Sequence, residues 1–505
     1  MNNLSRKEYR SSVLGCWMGK NVGGTLGAPF EWRRQVNDVK FYTTDLKGEP
    51  LPNDDLDIQL LWVIALEQTG IDVDAKRLAE YWSVYLTPHW AEYGNSKANL
   101  RAGLVPPLSG SVNNDYKHSC GAFIRSEIWA CIAPGNPQLA ARFALEDAII
   151  DHGDGEGTYA EVFCAALESA AFVVKDIRRL IGIGLSYIPP DCGIARAVKC
   201  AIASYDSRLP WRQAREEMLT GFRGGQPRKQ VSDEDFAKGY ADGPLGWDAP
   251  SNVGIVVLGL LYGEGEFDKT LITAVNCGED TDCTAATAGS ILGIIGGIEG
   301  IPEKWVKPIG RGIKTLVLDL GDLWTVPKTV DDLTERTERL ASQVWLRHGG
   351  LAVTDAAASL SSVSDEALGA GAQAMELYER LKGPLYRSDF YDVAVEYVGG
   401  PYARNSHPKR IRLSIRNKRP VQANVSLRWY LPDGWRILPC QSGSAFVPAG
   451  WTGNRCDAEF ELVCDRFEGP SARFAVELTI EGRPLAVLLP AILLNGNIAA
   501  GPPAP

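Results

Sequence analysis

The sequence predicts an all-helical domain followed by a C-terminal β-sandwich of the immunoglobulin-like or fibronectin-like kind, and three observations predict it. A chain of 505 residues exceeds what one hydrophobic core usually supports. Apolar residues recur at helical spacing through the first 348 positions, with little strand signal between segments. Beyond Tyr391 the period becomes two. The expected layout is a helical domain over 1–348, a linker and helix over 349–388, and a sandwich over 389–505.

Composition narrows the partners. Hydrophobic content of 45% and charged content of 23% are ordinary for a soluble globular protein. A net charge of -10 and a pI near 5.3 argue against nucleic acid or an anionic membrane as the main partner. The longest apolar runs, Val253 to Tyr262 and Leu485 to Leu494, are too short to span a bilayer. Eleven cysteines, an odd number without a CxxC pair, read as reduced, mostly buried thiols of a cytoplasmic protein.

In chain order, an amphipathic helix over Tyr9 to Met18 leads into a run with glycine at 15, 19, 23, 24 and 27 that ends at Pro29-Phe30-Glu31. Glycine at that density permits close helix packing, the simpler reading, or backbone approach to a ligand. Glu31, where a loop should leave the helix, can face a cleft. Pro52 and Asn53 start a second helix with a stripe of Leu56, Leu60, Val63 and Leu66, and Gly70 ends it. An N-cap needs one acceptor, so Asn53, Asp54 and Asp55 exceed the requirement and repel one another if unpaired.

Ala75 to about Ile188 is helical in pattern, broken at Pro88 to Trp90 and at Pro106 to Asp115. Arg125 and Glu127 fall inside the apolar stretch Ser119 to Trp129, and Asp151-His152, a pairing more often structural than catalytic, precedes a Gly-rich segment, Gly153 to Gly157, suited to a ligand-facing loop. Trp211 to Leu219, Ile255 to Tyr262 and Val330 to Trp345 complete the helices. Between them lies Cys277-Gly278-Glu279-Asp280-Thr281-Asp282-Cys283, opening a segment so small and apolar that as a helix it is buried all round. Two acids entering an interior need a counter-charge beyond the helix dipole, and a hard cation is the usual one. An Asp N-cap with a second acid in the first turn is the plainer reading of this stretch alone. The cluster at 53–55 shifts the reading toward metal, and oxygen ligands without histidine suit Mg²⁺, Mn²⁺ or Ca²⁺ rather than Zn²⁺.

After His348, residues 351–365 read as a linker or insertion, and a helix is expected over about Glu366 to Leu381. Alternating segments follow at Asp392–Tyr397, Arg410–Arg416, Gln422–Tyr430, Ala458–Val463, Ala472–Ile480 and Leu485–Pro490. Turns fall at Pro432 to Trp435 and Glu481 to Arg483.

Three ordered blocks, Gly27-Ala28-Pro29-Phe30-Glu31, Asn53-Asp54-Asp55 and Asp280-Thr281-Asp282, resemble the ADP-ribosylglycohydrolase superfamily over about residues 10 to 310, with Asp151-His152 and Gly155 to Ala166 as a fourth. The resemblance implies an all-α ADP-ribosylglycohydrolase-like domain with a binuclear Mg²⁺ site, Mn²⁺ being the other candidate, and it leaves the sandwich outside. By position Asp54, Asp55, Asp280 and Asp282 would be metal carboxylates. Asn53 and Cys283 stand in the same metal motifs, Asn53 where the family often has Thr or Ser and Cys283 where it often has Thr. The family's phosphate and adenosine loop is altered, with Cys120 to Arg125 the nearest stretch, so Gly121, Arg125, His152 and Gly155 are the implied substrate contacts. Glu31 is the implied proton-transfer group, with Asp55 and Asp282 competing. The implied activity is metal-dependent hydrolysis of an N- or O-glycosidic bond to ADP-ribose, on a small molecule or a modified protein. A glycosidase for another furanosyl or ribosyl compound and a metal-stabilised binding protein without turnover are the alternatives. For the sandwich, binding of glycan or protein and a structural or dimerising role stay equally open, as does a homo-oligomer.

Overall fold

The computed structural model describes residues 3–223, 246–323, 325–355, 368–370, 372–449, 453–483 and 486–498. The chain divides into two compact units, Met1–Leu100 with Ser109–Leu377, and Arg101–Leu108 with Tyr378–Pro505.

The first unit is helical. Its main helices are α1 (Arg6–Gly27), α2 (Asp54–Thr69), α3 (Ala75–Tyr85), α4 (Ala91–Ala102), α5 (Glu127–Ile132), α6 (Pro137–Ala148), α7 (Glu156–Ala171), α8 (Ile177–Ser186), α9 (Gly193–Asp206), α10 (Trp211–Phe222), α11 (Ala249–Gly263), α12 (Phe267–Asn276), α13 (Thr281–Gly296) and α14 (Val330–His348). None of the described helices is long and apolar enough to cross a membrane.

The glycines of α1 explain how these helices are centred. Residues four apart share one helix face, and Gly15, Gly19, Gly23 and Gly27 meet Gly293, Gly289, Ala285 and Thr281 of α13 in reverse order. A Cβ added at Gly19 would lie 2.1 Å from the Gly289 carbonyl oxygen, and one at Gly23 2.2 Å from that of Ala285. The two helices therefore run antiparallel with backbone against backbone, and the glycine run is a packing device. Ser12 Oγ donates to the Ile294 carbonyl at one end, and Thr281 Oγ1 donates to the Gly27 carbonyl at the other. The contact pins the C-terminus of α1 beside the N-terminus of α13. Every residue of α13 from Thr281 to Ile294 is buried.

A strand pair extends this unit past position 348. Strand β1 (Asn3–Ser5) pairs in parallel with β2 (Ala352–Thr354). Three residues are too few for an alternation to show, so the periodicity gave no sign of either. Of the helix expected over 366–381, residues 372–382 form a run of 3₁₀ turns, while 356–367 lie outside the described residues.

The second unit holds β3 (Leu385–Arg387), β4 (Tyr391–Tyr397), β5 (Tyr402–Ala403), β6 (Lys409–Asn417), β7 (Ala423–Tyr430), β8 (Trp435–Leu438), β9 (Ser442–Val447), β10 (Arg455–Cys464), β11 (Ser471–Ile480) and β12 (Ala486–Asn495). They form two five-stranded sheets, ordered β3-β4-β6-β10-β8 and β5-β12-β11-β7-β9. Alternate residues are buried, with Val393, Val395, Ile411 and Leu413 inward on one sheet and Leu427, Trp429, Val476 and Leu489 on the other. On the outer face Arg412 stands opposite Glu396 and Glu459 and pairs with both. Pro490 sits inside β12 without breaking it, because β5 reaches β12 only at Leu494 and Asn495.

Gly19→Ala tests the central helix contact. Propensity alone favours alanine by about 1 kcal/mol, but here the added methyl meets a carbonyl that cannot rotate away. The variant is expected to lose about 1–3 kcal/mol, seen as a lower denaturation midpoint at unchanged slope. A midpoint at or above that of the wild type would contradict the packing described.

Candidate metal centre and active site

A short 3₁₀ turn, Ala28–Phe30, ends α1 and delivers Glu31 half-buried at the mouth of α13. The next residue, Trp32, has φ of 62°, a left-handed conformation that costs a bulky side chain about 1–2 kcal/mol. It is held there because Trp32 N–H donates to the Glu279 carbonyl at 2.8 Å and Arg33 bridges back to Glu279. The Glu279 carboxylate is paired with Arg34 and Arg223, so this acid clamps the loop and is not a free ligand.

On the facing side, Asn53 Oδ1 accepts from Asp55 N–H at 2.7 Å and caps α2. That takes one of the two lone pairs of the amide oxygen expected at the metal. Asp57, the third acid of that turn, accepts from the backbone N–H groups of Leu316 and Val317. Asp54 accepts from Tyr93 Oη at 3.0 Å.

Asp55, Asp280 and Asp282 are almost wholly buried, at 1%, 3% and 5% exposure. Ligand atoms of Glu31, Asp280 and Asp282 all lie within 4.8 Å of one another, and so do those of Asp55, Asp282 and Cys283. The two acid clusters, more than 200 residues apart in sequence, thus form one centre. Among the described residues, no hydrogen-bond donor meets Asp55 Oδ2, Asp280 Oδ1 or Asp282 Oδ1. Carboxylate oxygens buried without a donor are costly, and a divalent cation satisfies several at once. The residues present fit such an ion.

Burial, then the repulsion of Asp282, Asp280, Asp54 and Asp55, pushes Glu31 up to about 11. Burial and the charge of Asp282 raise Asp54 to about 6. Asp280 is held well above the carboxylate range by burial and by Asp282. Without an ion, then, the centre retains protons at neutral pH. One cation reaches it from within the protein. Lys20 Nζ lies 3.8 Å from Asp55 Oδ2 and 2.8 Å from Glu127 Oε1, all three fully buried. Burial works against its charge, but Glu127 and Asp55 outweigh that and keep it protonated.

The expected substrate contacts lie deeper. Arg125 has no exposed surface, and its guanidinium binds Asp147, both oxygens of Asp151 and the Gly121 carbonyl. It also stacks over Trp82. His152 is buried between Asp151, 3.0 Å from Nδ1, and Ser119 Oγ, 3.1 Å from Nε2. Gly121 leaves room for the Glu92 carboxylate, and Gly155 for the Lys117 backbone. All four residues are buried, and Arg125 keeps no solvent-facing atom for a ligand. At the surface, Trp32 meets Trp247 edge to face, and Trp247 packs against Tyr116.

Against this geometry, residues 5–346 match the family model of the ADP-ribosylglycohydrolases. The chain belongs to the ADP-ribosylglycohydrolase family. It is similar to an uncharacterised protein of Archaeoglobus fulgidus, 25% identical over 307 residues, 58% of this chain and 89% of the other. Among solved structures it is similar to an ADP-ribosylglycohydrolase-related protein complex, at 19% identity and a TM-score of 0.45 over 68% of this chain and 99% of that one. A FixG-related protein from Vibrio parahaemolyticus matches 22% of this chain and 99% of its own at 13% identity, with a TM-score of 0.18.

Two side chains of this ADP-ribosylglycohydrolase centre went unnoticed in the sequence. Lys20 carried a signal, being the sole charge between Arg10 and Glu31 in a run otherwise fit for burial. Cys120 carried none, since it reaches Asp280 only through the fold.

The raised Asp54 sets a pH dependence. Between its unfolded value of 3.8 and its folded value of about 6, the metal-free folded state binds more protons than the unfolded one. Stability of the metal-free protein therefore falls as pH rises through that window. Ion binding needs the ionised form, so the melting temperature gained on replacing EDTA with Mg²⁺ should grow from about pH 5 to about pH 7. A gain that is absent, or flat with pH, would contradict metal at these carboxylates.

Proposed function

We propose that this chain is a metal-dependent hydrolase that cleaves an N- or O-glycosidic bond at the anomeric carbon of ADP-ribose or a related ribosyl group. The donorless oxygens of Asp55, Asp280 and Asp282 at two buried helix mouths carry the reading. Asp54, Asp55, Asp280 and Asp282, with Asn53 and Cys283 at the margin, would hold Mg²⁺ or Mn²⁺. Such ions, when bound, supply Lewis-acid polarisation and orient vicinal hydroxyls and water.

The chain's own residues do the rest. Glu31 is the acid nearest solvent in the Glu31, Asp280 and Asp282 group, and it carries a proton while the aspartate field is uncompensated. With that field neutralised it titrates closer to neutrality and can protonate a leaving group or take a proton from water. Asp55 and Asp282 compete for the second role. Trp32 and Trp247 offer apolar ring surface beside Glu31 for the leaving group and keep bulk water back.

One observation favours a second reading, a glycosidase for a ribosyl or furanosyl small molecule without a diphosphate. Arg125, the cation of the stretch nearest the phosphate loop, is fully engaged by Asp147 and Asp151. A hydrolysis screen of ADP-ribosylated peptides, ADP-ribose derivatives, nucleosides and aryl furanosides, with and without Mg²⁺, separates the two.

On the substrate so found, Glu31→Gln should lower kcat by about 10²–10⁴ while metal and substrate affinity change little. Near-normal turnover would move proton transfer to Asp55 or Asp282. No Mg²⁺-dependent hydrolysis of any substrate would contradict the proposed function.

A further inference from the structure

Two thiols lie inside the acidic centre. Cys120 Sγ is 2.7 Å from Asp280 Oδ2, and Cys283 Sγ is 3.4 Å from Asp55 Oδ1. The ligand atoms of Cys120, Asp280 and Cys283 lie within 4.8 Å of one another. Both cysteines are buried, at 3% and 6% exposure, yet their sulfurs face carboxylates, whereas a buried free cysteine ordinarily packs as a small hydrophobe. The thiols do not complete the polar pairing of this pocket, because Asp280 Oδ1 and Asp55 Oδ2 are buried without any donor.

We propose that Cys120, Cys283, Asp280 and Asp55 form a mixed sulfur and oxygen site for a thiophilic divalent cation of the zinc class, beside an oxygen-only position framed by Asp54, Asp280 and Asp282. The ligand types decide this. Mg²⁺ takes oxygen ligands and gains little from sulfur, whereas thiolates select zinc-like ions. Tetrahedral bonds of about 2.0–2.3 Å place neighbouring ligand atoms roughly 3.5 Å apart; Cys120, Asp280 and Cys283 already lie within 4.8 Å of one another, and Asp55 joins them through Cys283, 3.4 Å from its sulfur. On binding, each thiol releases its proton to solvent and its sulfur bonds the ion as thiolate. Two thiolates and two carboxylates leave an excess of negative charge over a dication. Lys20, 3.8 Å from Asp55 Oδ2, offsets part of it. Asp280, common to both clusters, joins the two positions.

The inference concerns the same centre as the proposed function but predicts a different ion, so the two can fail separately. Full-length protein, stripped of metal under reducing conditions and titrated with Co²⁺, should show sulfur-to-cobalt charge-transfer absorption in the near ultraviolet. Zn²⁺ should abolish that band at stoichiometric amounts and Mg²⁺ should not. Cys120→Ser and Cys283→Ser should each weaken or remove it, and Cys164→Ser, a buried cysteine outside the centre, should retain it. Zinc-edge X-ray absorption on the zinc-loaded wild type gives the same answer without variants, and two sulfur scatterers are expected. Cobalt absorption of the oxygen-only type, a band that survives both substitutions, or an absence of sulfur scatterers would overturn the proposal. Hydrolysis without the band strikes this inference alone, and the band without hydrolysis strikes the proposed function alone.

Discussion

Backbone contact between α1 and α13 is the constraint on which the rest of this structure depends. Four positions of α1 without side chains let the two helices approach until a single methyl would overlap a carbonyl. Close approach alone would only make a tight pair. Its antiparallel sense makes it functional, because the end of one helix and the start of the other become neighbours. Glu31 is thereby set against Asp280 and Asp282, and the Trp32–Glu279 backbone bond fixes the loop that carries it. A strained residue persists there because the helices on either side leave its backbone no alternative.

The centre built on that contact is electrostatically unfinished. Four carboxyl groups and two thiols converge, the charge of Asp282 also reaches Asp54, and the buried ammonium that reaches them among the described residues, Lys20, is shared with Glu127. A protein can bear such a cluster only by protonating it or by binding a cation. The upward shifts of Glu31, Asp54 and Asp280 describe the first state, and the donorless oxygens describe what the second would satisfy. Elsewhere in the same unit Arg125 pairs with Asp147 and Asp151, so those two buried acids have a cation within the protein.

Much of this was legible in the sequence, for physical reasons that differ by residue. The acids at 53–55 and 280–282 stood out because each exceeds what capping a buried helix requires, and the fold brings them together. The glycine run was legible as packing, since spacing by four puts all its members on one face. Alternation exposed the long strands. The four-residue β8 and the three-residue β1 and β2 gave too little period to read, and β9, Ser442–Val447, is mostly small and polar with Val447 its one buried residue, so it shows no apolar alternation. The pairing of Arg125 and His152 with Asp151 could not be read in advance, because a charge before glycines looks the same whether it meets a ligand or a buried aspartate. Only the partner distinguishes them, and the partner is a tertiary fact. The same holds for Cys120, whose relation to Asp280 spans 160 residues.

The helix contact makes one centre of the two acid clusters. The most direct measurement is a crystal structure of the protein grown or soaked with Mn²⁺, read through the anomalous signal of the ion. A peak is expected between the carboxylates of Asp54 and Asp55 on one side and Asp280 and Asp282 on the other, with Glu31 at its solvent edge. A fully occupied peak elsewhere, or none at saturating Mn²⁺ with these carboxylates still donorless, would contradict it.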